Sequence, residues 1–153
     1  MTGQRRYTAC CGLYCEDCIP SRSSLFEAVQ GLAGELDRLD FRRYAALKAE
    51  STEIFSGYER FREYLSAITS LRCPGPCAEG GGKKDCAIRA CAKEKGHAGC
   101  WECGIFEACK LLLPFQRFHG DTPVNNLRLI RQYGPDAWAR HRGPHYLWSK
   151  RPR

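Results

Sequence analysis

The sequence predicts a mainly α fold, a small helical domain with cysteine-rich metal-binding loops between its helices. Three observations carry that expectation. Apolar residues outside the cysteine clusters recur at three- and four-residue steps, the period of a helix with one buried face. No stretch shows sustained alternation with β-branched residues, the mark of a strand. The cysteines crowd into segments punctuated by glycine and proline, where helices stop. The 153 residues are expected as a single cysteine-rich helical domain over 1–139, with a basic C-terminal tail over 140–153.

The elements follow in order. Leu25, Val29, Leu32, Leu36 and Leu39, with Phe26 beside them, predict a first helix. Ser24 and Glu27 make a capping box at its start. Gly31 and Gly34 weaken it, so packing must hold it. Phe41, Tyr44, Ala45 and Lys48 predict a second helix. A third begins at Ser56, with Glu59 as the capping glutamate, and presents Tyr58, Phe61, Leu65 and Ile68. The Cys73-Pro74-Gly75-Pro76-Cys77 loop stops it, and Gly80-Gly81-Gly82 reads as a flexible link. Asp85 is expected to cap a short helix through Cys86 to Glu94 that ends near Gly96. From Ile105 to Phe118 the pattern is helical with a break or kink at Pro114. Thr122-Pro123 starts another helix through Val124, Leu127 and Ile130 that Gly134 ends. Pro135 to Trp138 starts a last short turn.

No apolar run approaches the ~20 residues that span a bilayer, so no membrane segment is expected. Met1 to Cys10 contains Arg5 and Arg6 but no apolar stretch after them, which argues against a signal peptide and points to a cytoplasmic protein. Dense cysteine in a reducing compartment signals metal or redox chemistry more often than disulfides. The total of eleven also excludes a fully paired intramolecular framework. The net charge is +7, and it is uneven. From Arg128 onward Arg128, Arg131, Arg140, Arg142, Lys150, Arg151 and Arg153 face one acid, Asp136. Such a tail could contact a nucleic acid or an acidic protein, but a solvated terminus is the favoured reading because no nucleic-acid motif accompanies the charge.

The chemistry lies in the thiols. One cluster is Cys10, Cys11, Cys15 and Cys18; the other is Cys73, Cys77, Cys86, Cys91, Cys100, Cys103 and Cys109. Each contains a C-x2-C pair, Cys15-Glu16-Asp17-Cys18 and Cys100-Trp101-Glu102-Cys103, and two thiolates so spaced grip one ion from a single turn. A tetrahedral site takes four ligands, so the ten cysteines other than Cys10 furnish two sites with two to spare. The first triplet plus one distant cysteine is one solution; the two C-x2-C pairs joined as in a zinc ribbon is another. Spacing leaves both open. The triplet Cys11, Cys15, Cys18 also resembles the one that holds an open-sited cluster in radical enzymes, but the barrel of alternating strands and helices that should follow is missing. A thioredoxin-type dithiol lacks its βαβ frame. His97, three residues before Cys100, reads as a loop residue, and Cys10 as a small buried hydrophobe.

The order Cys11-Gly12-Leu13-Tyr14-Cys15-Glu16-Asp17-Cys18, then Cys73-Pro74-Gly75, then Cys86 to Gly96, then Cys100-Trp101-Glu102-Cys103, Cys109-Lys110-Leu111 and Asn126 to Gly134, resembles the bacterial and archaeal family known as domain of unknown function 3795. The resemblance spans roughly Cys11 to Trp138. It implies a small cysteine-rich metal-binding domain without an assigned activity, with Cys11, Cys15, Cys18, Cys73, Cys86, Cys91, Cys100, Cys103 and Cys109 as ligands. Cys73 and Cys77 enclose one residue more than the family's middle pair, and this leaves Cys77 outside that set, as it does Cys10.

The function expected is therefore that of a small metal-binding protein with structural zinc held in sites of four cysteines each. The alternative is a [4Fe-4S] protein acting as electron carrier or redox sensor, although the ordinary ferredoxin run of cysteines is absent. An enzyme ranks last. Apart from thiols the sequence offers no nucleophile–base pair, phosphate loop or recognisable paired carboxylates.

Overall fold

The computed structural model describes residues 3–144 together with Tyr146 and Trp148. Among them are six α-helices, α1 (Ser23–Arg38), α2 (Phe41–Ala49), α3 (Tyr58–Ser70), α4 (Ala87–Glu94), α5 (Leu113–His119) and α6 (Thr122–Tyr133), joined by short 3-10 turns. Among the described residues there is no strand, only an isolated bridge between Thr8 and Tyr14. The protein is mainly helical, with its cysteines in the connections except Cys91, which lies within α4. Within the described residues no helix is long and apolar enough to cross a membrane.

The chain divides into two compact units. One is formed by the residues up to Cys18 and from Pro74 on; the other is Ile19–Cys73, an insertion in the sequence of the first.

The inserted unit is α1 to α3, closed where the Cys73 N–H donates to the Pro20 carbonyl at 2.8 Å. Its core is Val29, Leu36, Ala45, Tyr58 and Leu65, with Ala33, Phe41, Phe55 and Ile68 packed against it. On α1 the buried side chains are Phe26, Val29 and Leu36, while Leu25, Leu32 and Leu39 are exposed. Both sets have helical spacing, but those three leucines are seven residues apart and form a neighbouring stripe outside the core. Arg62 of α3 ties the unit together, donating to the Ala33 carbonyl at 3.0 Å and pairing with Asp37 at 2.9 Å.

Neither expected capping box forms. Ser24 lies inside α1, which grows out of a 3-10 turn at Ile19–Ser21, and its N-cap Arg22 makes no side-chain cap bond. Ser56 is likewise inside the 3-10 turn Glu53–Gly57 that leads into α3. Before α3 the incoming turn already bends the chain toward helix, with Gly57 at φ −79° and ψ 5°, whereas α1 starts at Ser23 directly after an extended Arg22. Asp85 is not a cap either, since Cys86 occupies that position before α4.

The other unit buries Ala9, Cys11, Tyr14, Ile88, Trp101, Phe106, Leu112, Leu127, Ile130, Trp138 and Ala139 as one cluster. Helix α6 is its spine, with Leu127 and Ile130 almost wholly buried. The N-terminal loop lies against it. Trp138 Nε1–H donates to Thr8 Oγ1 at 2.9 Å, and the Tyr14 ring meets Trp138 edge-on at 5.4 Å. Helix α4 ends where sequence places its stop. The Gly96 N–H bonds to Lys93 O and the His97 N–H to Ala92 O, the paired bonds that satisfy carbonyls at a helix end.

Two expectations about proline and glycine fail here. Pro114 does not kink a helix; it sits in the first turn of α5, where its missing N–H has no partner to lose. The segment Phe106–Ala108 before it is a separate 3-10 turn. The triple glycine is not a loose link. A Cβ on Gly81 would lie 1.8 Å from the Gly75 carbonyl oxygen, and one on Gly82, at φ +70°, 2.6 Å from Cys77 Sγ. Glycine is required there because backbone and sulfur come too close for any side chain.

Candidate metal centre

All the candidate ligands except Cys73 belong to the unit formed by the residues up to Cys18 and from Pro74 on; Cys73 closes the inserted unit. None of the eleven cysteines is in a disulfide.

The two C-x2-C pairs adopt one local geometry. Cys15–Asp17 and Cys100–Glu102 are 3-10 turns in which the N–H of the second cysteine donates to the carbonyl of the first, at 3.0 Å in both. The residues on either side of each turn are extended. This geometry presents two sulfurs from one turn, as a knuckle does. The knuckle regions meet through the backbone, where the Cys100 N–H donates to the Cys10 carbonyl at 2.8 Å.

Each knuckle is held by an arginine that sequence assigned to a basic tail. Arg142 makes a two-pronged pair with Asp17, at 2.6 and 2.9 Å, and lies over the Tyr14 ring at 4.4 Å. Arg131 donates to the Trp101 carbonyl at 3.0 Å and the Cys103 carbonyl at 2.8 Å, and covers Phe106 at 4.6 Å. Arg128 pairs with Glu107 at 2.8 Å. These guanidiniums are structural members, not a basic arm, because their fork geometry matches carboxylate and paired carbonyls. Lys150, Arg151 and Arg153 lie outside the described residues.

The second knuckle opens on a small cavity of about 40 Å³ lined by four cysteines, Cys91 of α4, Cys100, Cys103 and Cys109. Ile88, Ala92, Ile105, Phe106 and Leu111 complete an apolar wall, and Lys95 and His97 stand at it. No carboxylate lines it. Burial pushes the Cys100 thiol up to about 12, and the nearby Cys11, Cys10, Cys109 and Cys103 add to this, since crowded thiolates repel. Cys11 is likewise raised to about 12, chiefly by burial, with Cys86 and Cys10 contributing. Such sulfurs stay protonated unless a cation compensates them. Among the described residues no group of three or more His, Cys, Asp or Glu side chains is drawn close enough to hold a metal ion. The donor set around the cavity fits a thiophilic cation in kind; side-chain rotation would have to bring its sulfurs together.

Beside the first knuckle the chemistry differs. Cys15 is lowered to about 6, because the Cys77 thiol and the Cys77 backbone N–H both hydrogen-bond to its sulfur and outweigh its burial. Spacing left Cys77 aside, yet the fold brings it to Cys15. The loop that carries Cys77 is held by Arg89 of α4, which was not singled out by sequence. Its guanidinium donates to four carbonyls of the loop, Cys77 at 3.3 Å, Gly81 at 2.8 Å, Lys83 at 2.7 Å and Lys84 at 2.9 Å. No local pattern announces a side chain that gathers carbonyls from a non-helical loop.

A family model described as "Protein of unknown function (DUF3795)" matches residues 7–114. The chain belongs to that family. No curated protein and no solved structure matches it. The DUF3795 match takes in all eleven cysteines, both knuckles and Arg89. It stops at Pro114, short of the Asn126 to Gly134 stretch, so Asn126, Arg131 and Arg142 brace the cysteine loops from outside the matched span.

Removing the Arg89 clamp has a measurable consequence. Hydrogen bonds to a charged group contribute about 1.5–3 kcal/mol, which is roughly a ten- to hundredfold change in loop opening. Arg89→Ala is expected to speed alkylation of Cys77 by that factor in folded protein as purified under reducing conditions, followed by peptide mapping. Arg89→Lys should not restore the slow rate, because an ammonium lacks the planar fork. An unchanged rate in Arg89→Ala would show that the clamp is dispensable.

Proposed function

We propose that this DUF3795 protein is a metal-binding module in which Cys91, Cys100, Cys103 and Cys109 hold a structural zinc ion. The observation that carries the reading is the cavity itself. Four thiols from α4, a knuckle and a following 3-10 turn line one small apolar space from which carboxylates are absent. Zinc accepts four thiolates in a closed tetrahedral site, has no redox chemistry, and contributes its binding energy to folding. Size favours a single ion over a cluster. At ~10–15 Å³ for each water-sized sphere, about 40 Å³ admits a few such spheres. A cube of four irons and four sulfides exceeds it unless the walls move. Lys95 and His97 at the wall suit the net negative charge that four thiolates leave around zinc.

The protein's own contribution is to present and shield the sulfurs. Arg131 fixes the carbonyls of the knuckle, and Glu102 accepts the Ala98 N–H at 2.8 Å, which steadies the loop leading into Cys100. Phe106 and Ile88, both nearly fully buried, keep water from one side. The test is elemental analysis of protein purified without oxygen, with acid-labile sulfide measured in parallel. Colourless protein carrying zinc is the expected result. A brown protein with iron and sulfide, or one without bound ions, overturns the proposal.

A further inference from the structure

We infer that a cationic cavity beside α4 binds a small phosphate-bearing molecule, with Arg5 and Lys93 as the groups that hold its phosphate oxygens. This cavity shares only His97 with the one lined by four cysteines, and its reading does not depend on bound zinc.

The space measures about 600 Å³ and lies wholly within the unit formed by the residues up to Cys18 and from Pro74 on. Arg5 lines it from the 3-10 turn Gly3–Tyr7, and the loop after α4 lines it with Gly96, His97 and Ala98. Arg89 and Lys93 line it from α4, where a spacing of four residues puts both on one face. Pockets for small molecules span ~300–1,000 Å³, so this one has room for more than a bare oxyanion.

Its charge is one-sided. No Asp or Glu is among the lining residues. Among the described residues Arg5 and Lys93 make no ion pair and no side-chain hydrogen bond. Arg89 spends its fork on the carbonyls of Cys77, Gly81, Lys83 and Lys84, which accept hydrogen bonds but bring no negative charge. It therefore adds positive potential and leaves direct contact to the other two. The acids next in sequence to the lining are engaged elsewhere. Glu79, after Ala78, pairs with Arg6 at 2.7 Å, and Glu102, after Trp101, accepts the Ala98 N–H at 2.8 Å.

Three such cations around one space favour a ligand with more than a single charge. A phosphate monoester carries about −1.5 to −2 at neutral pH, more than one carboxylate does. The planar fork of Arg5 suits two phosphate oxygens, and the Lys93 ammonium acts on a third as a point charge. The remaining volume takes the organic part of the ligand.

The test is calorimetric titration of the full chain, purified under reducing conditions, with pyrophosphate and with adenosine diphosphate, without divalent cations and at ~0.15 M salt. Saturable binding of about one equivalent is expected, as befits a single pocket. Arg5→Glu and Lys93→Glu should each weaken it by roughly tenfold or more, the scale of hydrogen bonds to a charged group. Arg43→Glu, an exposed site on α2 in the other unit, makes the same change in net charge and should leave affinity unaltered. Equal weakening by Arg43→Glu overturns the inference, because binding would then follow net charge alone. Absence of binding by both probes at ~1 mM also overturns it. Should a charge reversal disturb the circular dichroism spectrum, Lys93→Gln decides, and unchanged affinity in that variant sinks the site.

Discussion

If zinc is held as proposed, a chelator under reducing conditions is expected to unfold the unit that carries the cysteine cavity and to leave part of the helical signal intact. The reason is one of magnitude. Structural zinc contributes about 10–16 kcal/mol in small zinc-dependent folds at neutral pH, whereas a whole domain is stable by only ~5–15 kcal/mol. The unit's buried cluster includes Cys11 and rests on Cys77, Cys86, Cys100, Cys103 and Cys109 as partly buried neighbours, so loss of the ion loosens the core itself. The inserted unit has its own core of Val29, Leu36, Ala45, Tyr58 and Leu65, and its one cysteine is Cys73. Its helices α1 to α3 should therefore survive. Far-ultraviolet circular dichroism during a chelator titration should show a partial loss that levels off with α1 to α3 intact, and Cys103→Ser should reproduce that loss without chelator. An unchanged melting curve after verified metal removal would rule out a structural role for the ion.

The second large effect is expected from Gly12→Ala. Gly12 sits at φ +84°, a conformation that costs an L-residue ~1–2 kcal/mol. Space is the greater obstacle. A Cβ there would lie 2.6 Å from the Pro123 carbonyl oxygen and 2.9 Å from Leu127 Cγ, and overpacking of this kind costs a further ~1–3 kcal/mol. The Gly12 carbonyl also accepts the buried Asn126 Nδ2–H at 2.8 Å, which fixes the loop on α6. The expected loss is about 2–5 kcal/mol in urea unfolding, with Cys11, Cys15 and Cys18 displaced together. Gly96→Ala is the control, since Gly96 has φ +68° but nothing within 4 Å of an added Cβ. If the two variants lose the same stability, close approach to α6 is not what requires glycine at position 12.

How much of this was readable in advance differs by kind of feature. Helices whose apolar residues repeat with the helical period were legible, as was the start of α6 at Thr122-Pro123 and the stop of α4 near Gly96. These depend on neighbours in sequence. The helix start expected at Ser24 falls at Ser23, after an extended Arg22, and the one expected at Ser56 falls at Tyr58 because the 3-10 turn before it already directs the chain, an influence that no capping motif records. Pro114 was misjudged for a related reason. A proline signals a helix start and a helix break with the same letter, and the separate turn at Phe106–Ala108 decides which.

In the candidate site, the two knuckles were visible because both sulfurs of each lie within one turn. The partners of the knuckles were not. Cys91 and Cys109 line one cavity with Cys100 and Cys103 only through the folding of α4 and the turn after the knuckle, and the loop that carries Cys77 is gathered by Arg89. Arg131 and Arg142 looked like surplus charge, since a basic residue reads alike in sequence whether it faces solvent or a carbonyl pair.

The amino-acid sequence by itself determined that the protein is helical, that thiols dominate its chemistry, and that it belongs with the DUF3795 family, because periodicity and residue order are local or one-dimensional properties. Which cysteines line one cavity, which arginines hold their loops, and why Gly12 and Gly81 have no room for a side chain were decided by the tertiary structure alone. Those relations depend on distances between segments far apart along the chain, and only packing against α4 and α6 sets them.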